Sequence, residues 1–266
     1  MKSHLSPETI LARETAIAAG KLLRKGFGGT FTIENKPGQH NLVTEFDKAS
    51  EELILKHIRK YYPDHSFLCE ESGCQGDKTD HLWIIDPLDG TVNFAHNIPV
   101  YCVSIAYARH GDIVSAAIYH PTVEELFVAE KGKGATLNGK PISVTSTSNI
   151  ANAIFGTGFP YNAHQNPLKC IEQFAHIIRK GIPVRRMGAA AIDLSYVAAG
   201  RYDAFWEVCL QPWDFAAGKL LVEEAGGTFT NLCGEIYLPT TDYVAGSVVA
   251  SNTRIHKALL KMLTLE

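Results

Sequence analysis

Apolar positions recur along this chain with two periods, and the alternation between them predicts its elements. Ser6, Pro7 and Glu8 form a helix start, after which Ile10, Leu11, Ile17, Ala18 and Leu22 return on one helical face until Gly26. A second helical pattern runs from about Thr44 to Tyr61, with Leu53, Ile54, His57, Ile58 and Tyr61 as its stripe, Asp47 in its first turn and Pro63-Asp64 as its stop. SFLC (66–69) and HLWII (81–85) then read as short apolar strands, each running directly into acid: Glu70-Glu71 after the first, Asp86 after the second. From 101 to 144 the period is that of strands, broken at His110-Gly111-Asp112, Pro121, Gly132-Lys133-Gly134 and the hairpin pair Asn138-Gly139, which predicts an antiparallel meander.

The second half alternates differently. A strand is predicted near 151–157, a helix near 166–180, a strand at 182–186, a helix from Ala189 to Gly200, a strand at 202–207 and a helix from Trp213 to Ala225. Short strands and a closing helix after Ser251-Asn252 follow. Such alternation predicts layered α/β sheets with helices on their faces. No repeat, low-complexity tract or linker interrupts the chain. The expectation is one domain over 1–266, with halves 1–148 and 149–266 meeting near 145–150.

Composition narrows the possible partners. With 266 residues, 45% hydrophobic and 20% charged, the chain has ordinary globular usage and enough length to bury a large core. A net charge of -3 supplies no basic field for nucleic acid, so small molecules are the expected partners. The cysteines at 69, 74, 102, 170, 209 and 233 form no C-x-x-C pair and sit largely in apolar stretches, as reduced, buried thiols do. The N-terminal MKSHLSPETILARETAIAAGKLL has no uninterrupted apolar core, and no stretch elsewhere reaches the ~18 apolar residues that span a bilayer. The expected location is the cytoplasm.

The chemistry concentrates in DPLDGT, residues 86–91. Hard divalent cations take oxygen ligands held at fixed positions by rigid elements. Pro87 fixes its own φ and biases Asp86 towards extended geometry, so a tight turn brings Asp86 and Asp89 towards one point, with the Leu88 carbonyl between them. Gly90 and Thr91 offer backbone N–H groups to an anion, and Gly90 has no side chain to hold a phosphate away. A D-x-x-D alone is commonly a capped turn. The whole string has a chance frequency on the order of 10⁻⁴ in a chain of this length, so it reads instead as a place for a metal and a phosphate together. Glu70 and Glu71 end a strand, where ligands gather in open α/β sheets. Taken singly, Asp214 is a helix cap after Pro212-Trp213, and Asp47 sits favourably at a helix start.

DPLDGTVNF, together with WDFAAGKLLVEEAGG (213–227) and EES (70–72), resembles the inositol monophosphatase family of Mg²⁺-dependent, lithium-sensitive phosphatases. The likeness covers nearly the whole chain, with both family signatures, DPxDGT and WDxAAG, intact and in order. It implies a layered α-β-α-β-α sandwich of the inositol monophosphatase and fructose-1,6-bisphosphatase type, usually dimeric. It also implies Glu70, Asp86, the Leu88 carbonyl, Asp89 and Asp214 as ligands for two or three Mg²⁺, with Mn²⁺ as a substitute, and Asp47 and Thr91 as the pair that orients the attacking water. Glu70 shares that catalytic task. Asp89, Gly90 and Thr91 would meet the phosphate, while Gly188 and Ala190 of RMGAAAIDL and Glu207 would contact the inositol ring. Cys69 stands where many relatives carry Gly, and GTGFPYNAHQ (156–165) resembles bacterial members.

The implied reaction is hydrolysis of inositol 1-phosphate by in-line attack of a metal-activated water, for which positioning and cation stabilisation suffice. No G-x-S-x-G or H-E-x-x-H string points to another mechanism. Rivals within the superfamily act on 3′(2′),5′-bisphosphate nucleotides, fructose 1,6-bisphosphate or histidinol phosphate. The nucleotidase and histidinol-phosphatase relatives tend to follow DGT with Lys, where this chain has Val92-Asn93-Phe94. A rival of another kind is a fold relative that binds the transcription machinery. Loss of a metal ligand would favour it, and none is lost.

Overall fold

The computed structural model describes residues 5–35, 42–77, 80–236 and 245–265. Helix α1 (Pro7–Gly26) begins where the Ser6 hydroxyl accepts the Thr9 N–H at 3.2 Å. Its buried face is Thr9, Leu11, Ala12, Thr15, Ala16, Ala19, Gly20 and Leu23, so of the predicted stripe Leu11 is buried while Ile10, Ile17, Ala18 and Leu22 are half-buried along its edge. Close approach is the reason: a Cβ on Gly20 would fall 2.4 Å from the Tyr119 ring, so small residues face the sheet and larger ones flank them.

Strands β1 (Ile33–Asn35) and β2 (Leu42–Thr44) pair antiparallel and lead into α2 (Glu45–Arg59). On this helix the predicted stripe is buried at Ile54 and Ile58 and half-buried at Leu53 and His57, and the inner face extends to polar residues that the pattern leaves out. Asp47, Ser50 and Glu51 are buried with Ile54, Leu55 and Ile58, whereas Tyr61 is exposed. Polar residues on an inner face need partners, and these have them, as described below.

The larger sheet contains β3 (Ser66–Cys69), β4 (Gly73–Gln75), β5 (His81–Asp89), β6 (Cys102–Arg109), β7 (Asp112–His120), β8 (Glu125–Glu130), β9 (Gly134–Leu137) and β10 (Lys140–Pro141). Its order is β10-β9-β8-β7-β6-β5-β3-β4. The β6–β10 part is the expected meander, and only β3 and β5 run parallel. A short helix, α3 (Thr91–Ala95), leaves β5.

The smaller sheet contains β11 (Phe155–Thr157), β12 (Val184–Arg185), β13 (Ala204–Leu210), β14 (Thr228–Thr230) and β15 (Gly246–Ser251) in the order β12-β11-β13-β15-β14. Helices α4 (Cys170–Arg179), α5 (Ala190–Ala198), α6 (Pro212–Glu224) and α7 (His256–Leu263) complete the chain. The helix expected near 166–180 starts only at Cys170, after 3₁₀ turns.

Alternation along the strands sorts the core into layers. Phe67, Cys69, Trp83, Ile85, Val103 and Ile105 pack with α1 and α2 residues such as Leu11, Leu23, Ile54 and Ile58. Their neighbours Leu68, Ile84, Cys102 and Ala106 pack on the opposite face with Leu194, Val197, Phe215 and Leu221 of α5 and α6, and also with Phe205, Val248 and Ala250 of the smaller sheet. Ala204, Trp206 and Val249 point the other way, onto Ile177 of α4 and Leu259 of α7. The result is helix, sheet, helix, sheet, helix. Both faces of each sheet are covered, which is why the strands read as continuous apolar runs.

Among the described residues no helix is long and apolar enough to cross a membrane. All six cysteines are unpaired. Cys69, Cys102 and Cys170 are buried as expected, whereas Cys74 and Cys233 are exposed.

Candidate active site

Residues three apart in a regular strand face opposite sides of the sheet. Asp86 and Asp89 do not. Asp86 is paired with Ser104 and Asp89 with Cys102, so three steps on β5 are set against two on β6, and both aspartates take the face shared by Ser104 and Cys102. That face meets α5 and α6: the Ala191 N–H donates to Asp89 Oδ2 at 2.7 Å, and the Ser104 hydroxyl lies 3.5 Å from the Trp213 carbonyl. The turn expected at DPLDG is therefore a bulge inside a strand that continues to Asp89. Proline suits this place because the ladder is already interrupted. The Pro87 carbonyl accepts from Ser50 Oγ at 2.8 Å, and the Leu88 N–H donates to Asp86 Oδ1 at 3.0 Å.

Gly90 ends the strand with φ +92, and a Cβ there would lie 2.8 Å from the Val100 carbonyl, so both conformation and space require glycine. The chain then enters α3. The Thr91 hydroxyl donates towards Asp47 Oδ1 at 2.9 Å and the Leu88 carbonyl at 3.0 Å. Asp47 stands at the third position of α2 in a capping box, its Oδ2 accepting from the Thr44 N–H at 2.7 Å and the Thr44 hydroxyl at 2.5 Å. Burial raises its pKa to about 6 in spite of these hydrogen bonds, which pull the other way, and the charge of Glu71 adds to the rise.

Asp214 occupies the same position at the start of α6, with Oδ2 accepting the Gln211 N–H at 2.7 Å. Burial pushes Asp214 and Asp86 well above the carboxylate range. Glu70 and Asp89 raise both further, and Asp214 also acts on Asp86. Asp89 is raised to about 6 by burial, against the lowering effect of the Ala191 and Ala190 N–H groups and the Cys102 thiol. Glu70, Asp86, Asp89 and Asp214 are thus within electrostatic reach of one another although β3, β5 and α6 bring them from separate parts of the chain. No Lys or Arg is among the groups that act on Asp86 or Asp214 most strongly. Buried carboxyls without a cationic side chain, supplying only oxygen, fit a hard divalent ion. Among the described residues, no three His, Cys, Asp or Glu side chains already form a finished metal cage.

The other predicted residues line the far side of this region. Gly188 adopts φ +80 directly before α5, and Ala190 is the first residue of that helix. Glu207 lies on β13 ahead of a register shift; burial raises it to about 8, Arg186 opposes the rise and Asp89 adds to it. Sequence reasoning missed four supporting residues. Asn93 Nδ2 donates to the Val100 carbonyl at 2.8 Å and the Met187 carbonyl at 2.9 Å, tying α3 to the segment before Gly188. Glu51 accepts the Glu71 N–H at 3.0 Å and so anchors the turn that carries Glu70. Ser50 holds the bulge. Asp193 is buried beside Glu207. For Ser50 and Glu51 a signal was present: with Asp47 they repeat at helical spacing on α2.

A profile of the inositol monophosphatase family matches residues 4–264. The Nus factor SuhB of Pseudomonas aeruginosa is 40% identical over 263 residues, 96% of this chain and 95% of that protein. An inositol-1-monophosphatase of Mesorhizobium japonicum is 39% identical over 250 residues, 93% and 92% of the two chains. The crystal structure of the extragenic suppressor protein suhB from Bartonella henselae superposes with a TM-score of 0.90 at 36% identity, covering 97% of this chain and 98% of that one.

Proposed function

The chain belongs to the inositol monophosphatase family, and on that premise we propose that it is a Mg²⁺-dependent phosphatase that releases inositol and phosphate from inositol 1-phosphate. The observation that carries this reading is the bulge in β5, which sets Asp86 and Asp89 on one face in reach of Asp214. Glu70, Asp86, the Leu88 carbonyl, Asp89 and Asp214 would hold the metal, two or three Mg²⁺ or Mn²⁺ in place of them. When bound, the metal supplies acidification of a water and neutralisation of charge on the phosphoryl and leaving oxygens.

The protein's own groups do the positioning. The single Thr91 proton is committed to Asp47 and Leu88, so the hydroxyl faces a water as an acceptor, and Asp47 stands behind it to take up proton charge. Glu70 orients the same water from the other side. Gly90 lets the phosphoryl group approach the backbone closely. Gly188, Ala190 and Glu207 receive the polyol, Glu207 through hydrogen bonds from ring hydroxyls. The reading includes a cytoplasmic homodimer and inhibition by lithium.

The test is phosphate release from inositol 1-phosphate, 2′-AMP, β-glycerophosphate, adenosine 3′,5′-bisphosphate, fructose 1,6-bisphosphate and histidinol phosphate. The expected result is highest kcat/KM for inositol 1-phosphate, and faster turnover of a bisphosphate would transfer the proposal to a rival. A second reading is supported by the relatives named Nus factor SuhB: a role in a transcription complex, alongside catalysis. Retention of the chain by purified transcription machinery, with wild type and Asp214→Asn retained alike, would establish that role as independent of turnover.

A further inference from the structure

We infer that Asp193 is a positioning residue for the polyol-binding end of the candidate site, acting on Glu207 across a wall made by Gly156 and Gly158. The inference rests on the polyol-binding part of the reading above. A Cβ on Gly158 would fall 2.0 Å from Glu207 Oε2 and 2.4 Å from Oε1, so the carboxyl group lies directly against this backbone and no other residue fits beneath it. A Cβ on Gly156 would stand 2.9 Å from the Tyr202 ring and 3.3 Å from Asp193 Oδ1. Gly156 on β11 and Gly158 just after that strand, roughly 6–7 Å apart, thus make room for a carboxyl from α5 and one from β13.

Asp193 is 1% exposed, and its Oδ1 has no hydrogen-bond partner. A buried polar atom left in this way is costly unless the group has a task. The residue is carried on the first turn of α5, two positions after the Ala191 N–H that binds Asp89 and three after Ala190, so it stands directly behind the surface assigned to the inositol ring. The charged and titratable groups around it are Glu207 on β13, Asp89 on β5, Cys102 on β6, Arg186 ahead of α5, Tyr196 on α5 and Tyr202 after it. Burial, Glu207 and Asp89 push Asp193 up and Arg186 pulls it down, which favours the protonated acid. A neutral acid beside Gly156 does not repel Glu207, which lies against Gly158. An ionised one would drive the two carboxyls apart and tilt the start of α5.

The experiment compares wild type with Asp193→Asn, Asp193→Leu, Gly158→Ala and Glu207→Ala, each with saturating Mg²⁺, on inositol 1-phosphate and on β-glycerophosphate. Asn reproduces the shape of the neutral acid. It is expected to stay within about 3-fold of wild type at pH 7 and to keep kcat/KM for inositol 1-phosphate further into the alkaline range than the wild type does. Leu at 193 and Ala at 158 are expected to raise KM for inositol 1-phosphate about 10-fold or more while sparing kcat and β-glycerophosphate. If Asp193→Leu does not fold, the pH profile of Asp193→Asn decides. Superimposable profiles of Asn and wild type, or equal losses on both substrates for the folded Leu variant, would overturn the inference. Glu207→Ala separates the two levels: wild-type KM there sinks the polyol reading itself, whereas a raised KM with unaffected Asp193 variants sinks the Asp193 role alone.

Discussion

Asp47 and Asp214 occupy the same local structure and face different surroundings. Each is the third residue of a helix, and each gives one oxygen to the N–H of its capping residue at 2.7 Å, Thr44 for one and Gln211 for the other. The cap fixes one oxygen and thereby aims the second. Opposite Asp47 stands the Thr91 hydroxyl, a neutral group that donates to it at 2.9 Å. Asp214 instead feels Glu70, Asp89 and Glu207, a field that a proton or a bound cation relieves. One folding device therefore sets two aspartates in two different electrostatic surroundings, and what lies across from the cap makes the difference.

The largest expected contrast between them is metal dependence. Asp214→Asn is expected to lower kcat/KM about 10³-fold at fixed Mg²⁺ and to raise the Mg²⁺ concentration needed for half activity. Asp47→Asn is expected to lower kcat about 10²-fold with the Mg²⁺ requirement unchanged, and Thr91→Ala to match it, because both lose the in-line water. A shifted Mg²⁺ requirement in Asp47→Asn would merge the two roles and break the comparison.

A smaller effect concerns stability and pH. Asp47 and Asp89 are raised from 3.8 to about 6 and Glu207 from 4.5 to about 8, so the folded chain binds protons that the unfolded chain has lost. Stability contributed in this way is full at low pH and disappears as pH rises through the folded pKa values. The metal-free protein, in EDTA, is therefore expected to show a melting temperature that falls between about pH 5 and about pH 8, with Mg²⁺ reducing the fall. A flat profile would remove the acidic cluster from the stability balance. The smallest effect is local: Thr44→Ala is expected to cost about 1 kcal/mol in denaturant unfolding, and Gln211→Ala less, since Asp214 uses only the backbone there.

Much of this was legible in the sequence. Both signatures, the meander and the alternation after 150 carry the fold, because covered sheets write continuous apolar runs and their turns need Gly, Pro and Asn. The phase of α1 and α2 was legible only in part, at Leu11, Ile54 and Ile58. On α1 the inner face is Ala12, Ala16, Ala19 and Gly20, which a search for large apolar side chains passes over. On α2 it begins with Asp47, Ser50 and Glu51, whose partners Thr91, Pro87 and Glu71 lie 20 or more residues away. Asp193 was hidden for a related reason: it sits within an apolar helix, and only the packed structure shows that its carboxyl lies among other carboxyls.

The surplus residue in β5 has an effect that reaches past the placement of side chains. A plain D-x-D in an unbroken strand would also set two carboxylates on one face, but with one residue fewer between them to turn its carbonyls elsewhere. The extra residue releases main-chain oxygens: that of Pro87 receives Ser50, and that of Leu88 turns to Thr91. Part of this site is therefore written in chain length. Replacing Leu88 with alanine leaves its oxygen where it was, so a scan of side chains passes over it, and only shortening the segment by one residue exposes what the backbone itself contributes.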